Sequence, residues 1–340
     1  MHDSITQRGF PPDRNVIYTN LGRAAFEAAF RAEGLKGGRI MLPGFICQGS
    51  FTSLFDRLDI TPVFVDVDPE TYHIGLDAAR AVDDVDAVMI IHSFGLPADG
   101  PAWKQFCADR GIPLIEDCVR ALGAEVGGEP VGSFGEYGIY SLKKVSPVGI
   151  GGALVCRDSS PGEYLEPAQY GGHALYHLLP QNLQAELAVS YSRDFEPRRL
   201  DAVTQSRFQQ YLESGFEESR RKNKEIADLI RDSLEPLGFE FQPEAPGRTR
   251  FLLPALVPEG VDRDGLVAYV YANSAKSHTK VVWANPWPKS YHANEFGQQF
   301  PNTQMLAERT FSFWVNEIAI DDLSRTLQAV REYVEVFGTE

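Results

Sequence analysis

Five polar side chains stand at or just beyond the ends of short apolar runs that are typical of β-strands. His92 closes AVMIIH, Asp117 lies near the end of PLIEDC, and Ser141, Lys143 and Lys144 end or follow YGIYSL. Each has an ordinary structural alternative. A strand-end aspartate often caps the next helix, a histidine in such a place is often a satisfied structural residue, and most loop lysines are solvated.

The combination favours chemistry, because a lysine and a carboxylate on neighbouring strand ends suit pyridoxal phosphate (PLP). A lysine amine forms a Schiff base with the cofactor aldehyde. A carboxylate pairs with the pyridine nitrogen, so that the ring accepts electrons. The phosphate needs backbone N–H groups at a helix start, which TNLGRAAFEAAF supplies, with Gly22 allowing close approach of the backbone.

Alternating strands and helices would position these residues. The helical segments 24–35, 76–82 and 101–111 separate runs rich in Val and Ile at 39–43, 62–67, 87–94, 113–118, 137–142 and 152–157. This alternation predicts a parallel sheet covered by helices on both faces. Ligands bind at the carboxyl ends of the strands in such sheets, where the five polar side chains fall.

The pattern changes in the second half of the chain. A long charged helix is expected over 203–234, followed by apolar runs at 251–258 and 279–288 and a closing helix over 321–337. We therefore predict a large PLP-binding domain over residues 1–205. Residues 206–340 would form a bridging helix and a smaller α+β domain.

Seven stretches, in order, resemble the DegT/DnrJ/StrS family of PLP-dependent aminotransferases. They are TNLGRAAFEAAF, MLPGF, PVFVDVDPETYHI, IHSFGLPAD, LIEDCVRALGAEVGGEPVGSFGEYGIYSLKK, GIGGALV and FPNTQMLAERTFSF. The resemblance covers about residues 17–335 and is most specific over 87–155. It implies the PLP transferase fold type I, an α/β fold with a three-layer αβα large domain, a mostly parallel seven-stranded sheet and a smaller C-terminal α+β domain.

The resemblance also implies roles for individual residues. Asp117 matches the family aspartate that pairs with the pyridinium, and Lys144 matches the Schiff-base lysine. Lys144 precedes Gly152, the last glycine of the G-x-G-G element, by eight positions (152 − 144), as the family lysine does. Ser141 corresponds to a serine that binds the cofactor phosphate. Lys143 would then be a neighbour that faces phosphate or solvent.

Some positions depart from the family pattern. Gly22 and Arg23 stand where the family has Gly-Thr at the phosphate, and the Arg23 guanidinium would pair with phosphate instead of the hydroxyl. Arg120 replaces a glutamine near the phenolic oxygen of the cofactor, where a cation would stabilise the phenolate. Cys47 lies near the position of an aromatic ring stacked on the cofactor, and Phe45 is the alternative for that contact.

Three further site assignments concern His92, Asn182 and the run VVWANPWPKSYH. His92 is expected to be a structural histidine or a wall of the cofactor pocket. Asn182 is a candidate for the phosphate contact that family members receive from the partner subunit. The run VVWANPWPKSYH either lines the substrate mouth or is a strand and turn with Trp283 in the core.

Composition excludes several classes of protein. The formal net charge of −15 argues against a nucleic-acid binder. No run approaches the roughly 18–20 apolar residues of a membrane span, and no strand precedes the G-x-G-x-x-G of a nicotinamide-binding enzyme. The four cysteines lack C-x-x-C spacing and fit a reduced cytoplasmic protein.

We therefore predict a PLP-dependent aminotransferase that moves an amino group from a donor such as glutamate to a keto-sugar, with nucleotide-linked keto-sugars favoured. The resemblance implies a homodimer with shared active sites. One alternative is another PLP reaction on the same fold, although related sugar dehydratases carry histidine in place of Lys144. The other is a family member that binds cofactor or sugar nucleotide without turnover.

Overall fold

A computed structural model of the chain describes residues 8–168, 195–274, 279–281, 300–316, 318 and 320–338. Strands and helices alternate over residues 15–156. In chain order they are β1 (Asn15–Thr19), α1 (Gly22–Ala32), β2 (Arg39–Pro43), α2 (Gln48–Leu58), β3 (Thr61–Val65), α3 (Leu76–Arg80), β4 (Ala87–Ile91), α4 (Gly100–Arg110), β5 (Leu114–Asp117), β6 (Glu125–Val126), β7 (Glu129–Pro130), β8 (Tyr137–Ser141), α5 (Leu142–Val145) and β9 (Gly152–Cys156).

Seven of these strands form one sheet in the order β1-β9-β8-β5-β4-β2-β3, while β6 and β7 form a separate hairpin. The strands from β8 through β3 pair in parallel. Strand β9 runs antiparallel to both of its neighbours, β8 and β1. The predicted mostly parallel seven-stranded sheet is therefore confirmed. The sequence pattern had indicated six of its strands, and β1 is the seventh.

Apolar side chains on both faces of the sheet explain why its strands are continuous hydrophobic runs. Met89 belongs to the same buried cluster as Phe26 of α1 and Phe51 of α2. Its neighbour Val88 points to the opposite face and belongs to the cluster that contains Trp103 of α4. Helices thus cover both faces, which confirms the predicted three-layer αβα arrangement.

The helix predicted over 203–234 is two helices, α6 (Ala202–Ser214) and α7 (Phe216–Leu234). The break falls at Gly215, whose backbone lies at φ −121° and ψ −18°. Glycine is the weakest helix former after proline, so an interruption costs least there. The predicted boundary between residues 205 and 206 falls inside α6, and the division into two domains remains a prediction.

The C-terminal part contains a second, antiparallel sheet in the order β10-β11-β13-β12. Its strands and the helices that follow α7 are β10 (Glu240–Phe241), β11 (Leu253–Leu256), α8 (Arg263–Asn273), β12 (Thr279–Val281), α9 (Pro301–Arg309), β13 (Thr310–Phe313) and α10 (Ile320–Phe337). Side chains of β11, β13, α7, α8 and α10 share one buried cluster, which confirms the predicted α+β part. None of the helices within the described ranges has the length and apolarity needed to cross a membrane.

Candidate active site

A cavity of about 270 Å³ opens where β4, β5 and β8 end and α1 begins. Eight of the nine residues predicted for the cofactor site line it: Gly22, Arg23, Cys47, His92, Asp117, Arg120, Ser141 and Lys144. The ninth, Asn182, lies outside the described residues, as do Trp283 and the rest of the WANPWPKSYH segment. Parallel strands bring their carboxyl ends to one edge of a sheet, so residues far apart in sequence meet here.

Asp117 is the last residue of β5 and is buried, with 8% of its surface exposed. Its Oδ1 accepts a hydrogen bond of 3.0 Å from the N–H of Val119, two residues on, in a turn rather than at a helix start. Burial raises the pKa of this carboxyl group to about 6, although His92 and Arg120 oppose the shift. The carboxylate is thus held at the cavity in an environment that favours a cationic partner.

Hydrogen bonds fix the orientation of the His92 ring. Its Nδ1 accepts a bond of 3.0 Å from the N–H of Ala98, which in the neutral ring places the proton on Nε2. Nε2 lies 3.0 Å from Oε2 of the buried Glu116. Since both ring nitrogens have partners, His92 can offer the cavity only its ring surface. These hydrogen bonds are those of a structural histidine, the role that was favoured for His92 over that of a catalytic base.

Glu116 was not identified from the sequence, yet its carboxylate binds both His92 and a nearby loop. Besides His92, its two carboxylate oxygens accept hydrogen bonds from the backbone N–H groups of Gly132, Phe134 and Gly135 at 2.7–2.8 Å. The carboxylate therefore holds the loop that leads into β8. The sequence did carry one signal for Glu116. It immediately precedes Asp117 in β5, and neighbouring residues of a strand face opposite sides of the sheet.

The two lysines occupy different environments in the single turn of α5. Leu142 and Val145 are buried, which fixes how the turn packs. Lys143 is exposed, whereas Lys144 is half-buried. Nζ of Lys144 lies 5.0 Å from the ring centroid of Trp314. Both lysines line the cavity, but Lys144 is the one whose amine is held by a neighbouring side chain in this way.

The glycines after Lys144 bring the lysine loop against the start of α1. Gly149 and Gly151 have φ of 78° and 102°, in the region that favours glycine. A Cβ on Gly152 would lie 2.6 Å from Cα of Gly22. Gly152 therefore allows the two backbone segments to touch.

The start of α1 and the end of β8 form a candidate anion site. A Cβ on Gly22 would be 3.7 Å from Cβ of Ser141, so the helix start and the serine are neighbours. The guanidinium of Arg23 lies 5.0 Å from the ring centroid of Phe195, and burial lowers its pKa. The first N–H groups of a helix, a hydroxyl and a guanidinium all favour a bound anion.

Cys47, rather than Phe45, faces the cavity. Cys47 lies at the N-terminus of α2, and its sulfur accepts a hydrogen bond of 3.4 Å from Oγ of Ser50. Phe45 is 1% exposed and packs edge-to-face on Tyr72, with 5.6 Å between ring centroids. The aromatic contact expected near this position is therefore not available from Phe45.

Arg120 lines the cavity with its guanidinium carbon 4.8 Å from the ring centroid of Trp314. Trp314 follows β13, immediately after the TFSF stretch, and was not identified from the sequence. Several residues that line the cavity were also missed, and they are mostly apolar: Leu21, Phe26, Ile46, Ser50, Phe51, Ile91, Phe94, Val119 and Ile150. Phe51 lies in α2, whose apolar residues Phe51, Leu54, Phe55 and Leu58 follow a helical spacing that was readable.

Charge in the cavity differs in sign from that of the whole chain. Four described lining residues are cationic, Arg23, Arg120, Lys143 and Lys144, while Asp117 carries the only carboxylate among them. The whole chain has a formal net charge of −15. A local positive potential in an acidic protein concentrates anionic ligands at that place.

Comparisons with known proteins point to one family. The model of the DegT/DnrJ/EryC1/StrS aminotransferase family matches residues 9–331. The L-glutamine:2-deoxy-scyllo-inosose aminotransferase of Streptomyces kanamyceticus is 29% identical over 69% of this chain and 56% of that protein. The UDP-N-acetyl-3-dehydro-alpha-D-glucosamine 3-aminotransferase of Acidithiobacillus ferrooxidans is 33% identical over 46% of this chain and 44% of that protein.

The matching parts therefore span about half the length of these curated relatives. Among solved structures, the aminotransferase TlmJ from Streptoalloteichus hindustanus aligns with a TM-score of 0.74 at 20% identity. The alignment covers 97% of this chain and 88% of that one. At this level of identity the likeness shows a common fold, which agrees with the predicted PLP transferase fold type I.

Proposed function

This chain belongs to the DegT/DnrJ/EryC1/StrS aminotransferase family, and from that premise we propose that it is a PLP-dependent aminotransferase acting on a keto-sugar. The observation that carries the proposal is the convergence of Lys144 and Asp117 on one cavity. Asp117 ends β5, and Lys144 lies in α5, which directly follows the neighbouring parallel strand β8. A reactive amine and a buried acid are thereby available to one ligand.

The residues present fit PLP by the chemistry of their donors. Asp117 is a buried carboxylate with one hydrogen bond among the described residues, from Val119, and burial raises its pKa. A protonated ring nitrogen would satisfy it. The start of α1, Ser141 and Arg23 offer backbone, hydroxyl and guanidinium donors to a phosphate.

In this proposal Lys144 has two roles. Its amine anchors the cofactor, and after release it acts as the base that moves a proton during amino transfer. PLP supplies an electron sink when bound. Asp117 keeps the proton on the ring nitrogen, because an ionised carboxylate in a buried place favours a cation beside it.

Arg120 and His92 have supporting roles. Arg120 places a positive charge at the edge of the cavity, where it stabilises an oxyanion such as a phenolate. His92, with both nitrogens engaged, forms a rigid wall. Cys47 is a further wall, and Asn182 remains a candidate contact contributed across a dimer interface.

The names of the relatives support the substrate class. One acts on a keto-inosose with L-glutamine, and another acts on a UDP-linked 3-keto sugar. We infer that this chain takes an amino group from glutamate or glutamine and transfers it to a ring carbon that bears a ketone. A homodimer with shared active sites and a cytoplasmic location are part of the proposal.

A transfer assay tests the proposed function. The protein, loaded with PLP, is incubated with glutamate or glutamine labelled with ¹⁵N at the α-amino group and with a panel of keto-inositols and keto-sugar nucleotides. We expect the label in an aminated product, detected by mass spectrometry, and no product with Lys144→Ala. Loss of water from the sugar without label transfer would indicate the dehydratase alternative. Binding of a sugar nucleotide without either change would indicate the non-catalytic alternative.

A further inference from the structure

The loop that follows β13 contacts Lys144 at two places. The ring centroid of Trp314 lies 5.0 Å from Nζ of Lys144. The side-chain amide of Asn316 donates a hydrogen bond of 3.4 Å to the carbonyl oxygen of Lys144, although the two residues are 172 positions apart in sequence. One short segment of the C-terminal sheet thus contacts both the amine and the backbone of the lysine.

Trp314 is itself held in place from behind. It is half-buried and packs against an apolar cluster that includes Phe45, Tyr72 and Leu306. Tyr72 and Phe45 are each about 1% exposed. The indole therefore presents a fixed surface, because a side chain packed against a close-packed cluster has little room to change rotamer.

The same ring contacts a second cation, since the guanidinium carbon of Arg120 lies 4.8 Å from its centroid. An ammonium or guanidinium over an indole is stabilised by the ring quadrupole. A lysine side chain has four flexible torsions, and such a contact restricts them. Trp314 accordingly limits where Lys144 and Arg120, two of the cations that line the cavity, can lie.

We propose that Trp314 is a positioning residue that holds the ε-amine of Lys144 at the cavity in the cofactor-free protein, so that Lys144 rather than Lys143 captures PLP. In the capture step the neutral amine forms a C–N double bond with the aldehyde carbon, and the aldehyde oxygen leaves as water. The inference rests on the proposed function, in which Lys144 carries the cofactor. Lys143 is exposed in the same turn and is the internal reference.

Two measurements on the cofactor-free protein test this role. In the first, limiting PLP is added, the product is reduced with borohydride, and peptide mass spectrometry gives the ratio of label on Lys144 to label on Lys143. In the second, trace acetic anhydride gives the acylation rate of Lys144 relative to the exposed Lys104. The variants are Trp314→Leu, which keeps apolar bulk, and Trp314→Phe, which keeps an aromatic face. Trp103→Leu, in α4 and away from the cavity lining, is the control.

The two measurements should move in opposite directions in Trp314→Leu. The PLP ratio should fall by about two- to thirty-fold, because a contact of this strength no longer fixes the amine at the cavity. Acylation of Lys144 should rise, because the ring no longer shields the amine from the reagent. Trp314→Phe should stay within about two-fold of the wild type in both measurements, and Trp103→Leu should change neither. Asn316→Ala, which removes only the bond to the backbone, should lower the PLP ratio as well.

An unchanged PLP ratio in Trp314→Leu would overturn the inference, and so would a rise of both readouts together, which local unfolding produces. Failure of the proposed function looks different, because the wild type would then take up PLP at neither lysine. In that case the acylation rates still test the contact between Trp314 and the amine of Lys144. A higher rate in Trp314→Leu supports the contact, and an unchanged rate contradicts it.

Discussion

A Cβ atom on Gly152 would lie 2.6 Å from Cα of Gly22, so the first residue of β9 and the first residue of α1 touch through their backbones. Gly152 ends the loop that carries Lys144, and Gly22 begins the helix proposed to bind the cofactor phosphate. The contact therefore ties the position of the amine to that of the anion site.

Gly152→Ala should disturb both ends of the site at once. Real Cβ atoms do not approach backbone this closely, so β9 and α1 must separate, at a cost of about 1–3 kcal/mol in unfolding free energy. Chemical denaturation and PLP titration measure the two effects. Gly75→Ala is the control, since a Cβ there meets nothing within 4 Å, and it should change neither quantity. Equal stability of the two variants would contradict the backbone contact.

Asp117→Asn should make the cofactor-free protein more stable at neutral pH. The carboxyl pKa rises from 3.8 to about 6 on burial, so the folded state binds this proton more tightly than the unfolded state. Its stabilising effect is complete below pH 4 and is lost as pH rises through about 6. The variant avoids that loss, which is at most ~3 kcal/mol. Denaturation at pH 4 and pH 7 measures it, and a variant less stable than the wild type at pH 7 would refute the desolvation argument.

The same substitution should have the opposite effect on turnover. Asn cannot supply the negative charge that holds the ring proton, so PLP still binds but amino transfer drops by several orders of magnitude. Single-turnover kinetics with ¹⁵N-labelled donor measures the loss. Full activity of Asp117→Asn would mean that the acid has no electronic role.

Ser141→Ala should weaken PLP binding through the phosphate alone. A hydrogen bond to a charged group contributes about 1.5–3 kcal/mol, which is roughly a 10- to 150-fold change in Kd. Pyridoxal, which lacks the phosphate, is the matched ligand control and should bind the variant and the wild type equally. A parallel loss with both ligands would show that the serine acts on the fold or on the ring instead.

Arg120→Gln restores the residue type that the resemblance implies at this position. The guanidinium disfavours protonation of the bound chromophore, so its removal should move the pH midpoint of the visible absorbance upward by about one unit. Arg110→Gln is the control, because that guanidinium also lies over an aromatic ring, 4.4 Å from the centroid of Phe106, but away from the cavity. A midpoint that stays in place would remove Arg120 from the electrostatics of the site.

The sequence indicated much of this arrangement because parallel strands expose their ends at one edge. Asp117, Ser141 and Lys144 could be placed together from strand ends alone. The strand β1 was not recognised, because the apolar run within NVIYT is only the three residues VIY between polar neighbours. Gly215 was visible as a single glycine within a helical pattern. Charged helices often tolerate such a residue, so its presence did not predict a break there.

The place of Trp314 beside Lys144 could not be predicted from a local sequence pattern. Trp314 follows a strand of a different sheet, and its packing against the cluster around Tyr72 brings it to Lys144. Similarly, the choice between Phe45 and Cys47 depends on which way the chain turns after β2. That turn is fixed by the contact of Phe45 with Tyr72 rather than by residue type.

The most direct test of the account is the absorbance spectrum of the protein with PLP, compared among the wild type, Lys143→Ala and Lys144→Ala. We predict a visible band in the wild type and in Lys143→Ala that bleaches when glutamate or glutamine is added, and no such band in Lys144→Ala. A band that survives in Lys144→Ala and disappears in Lys143→Ala would contradict the assignment of the reactive amine.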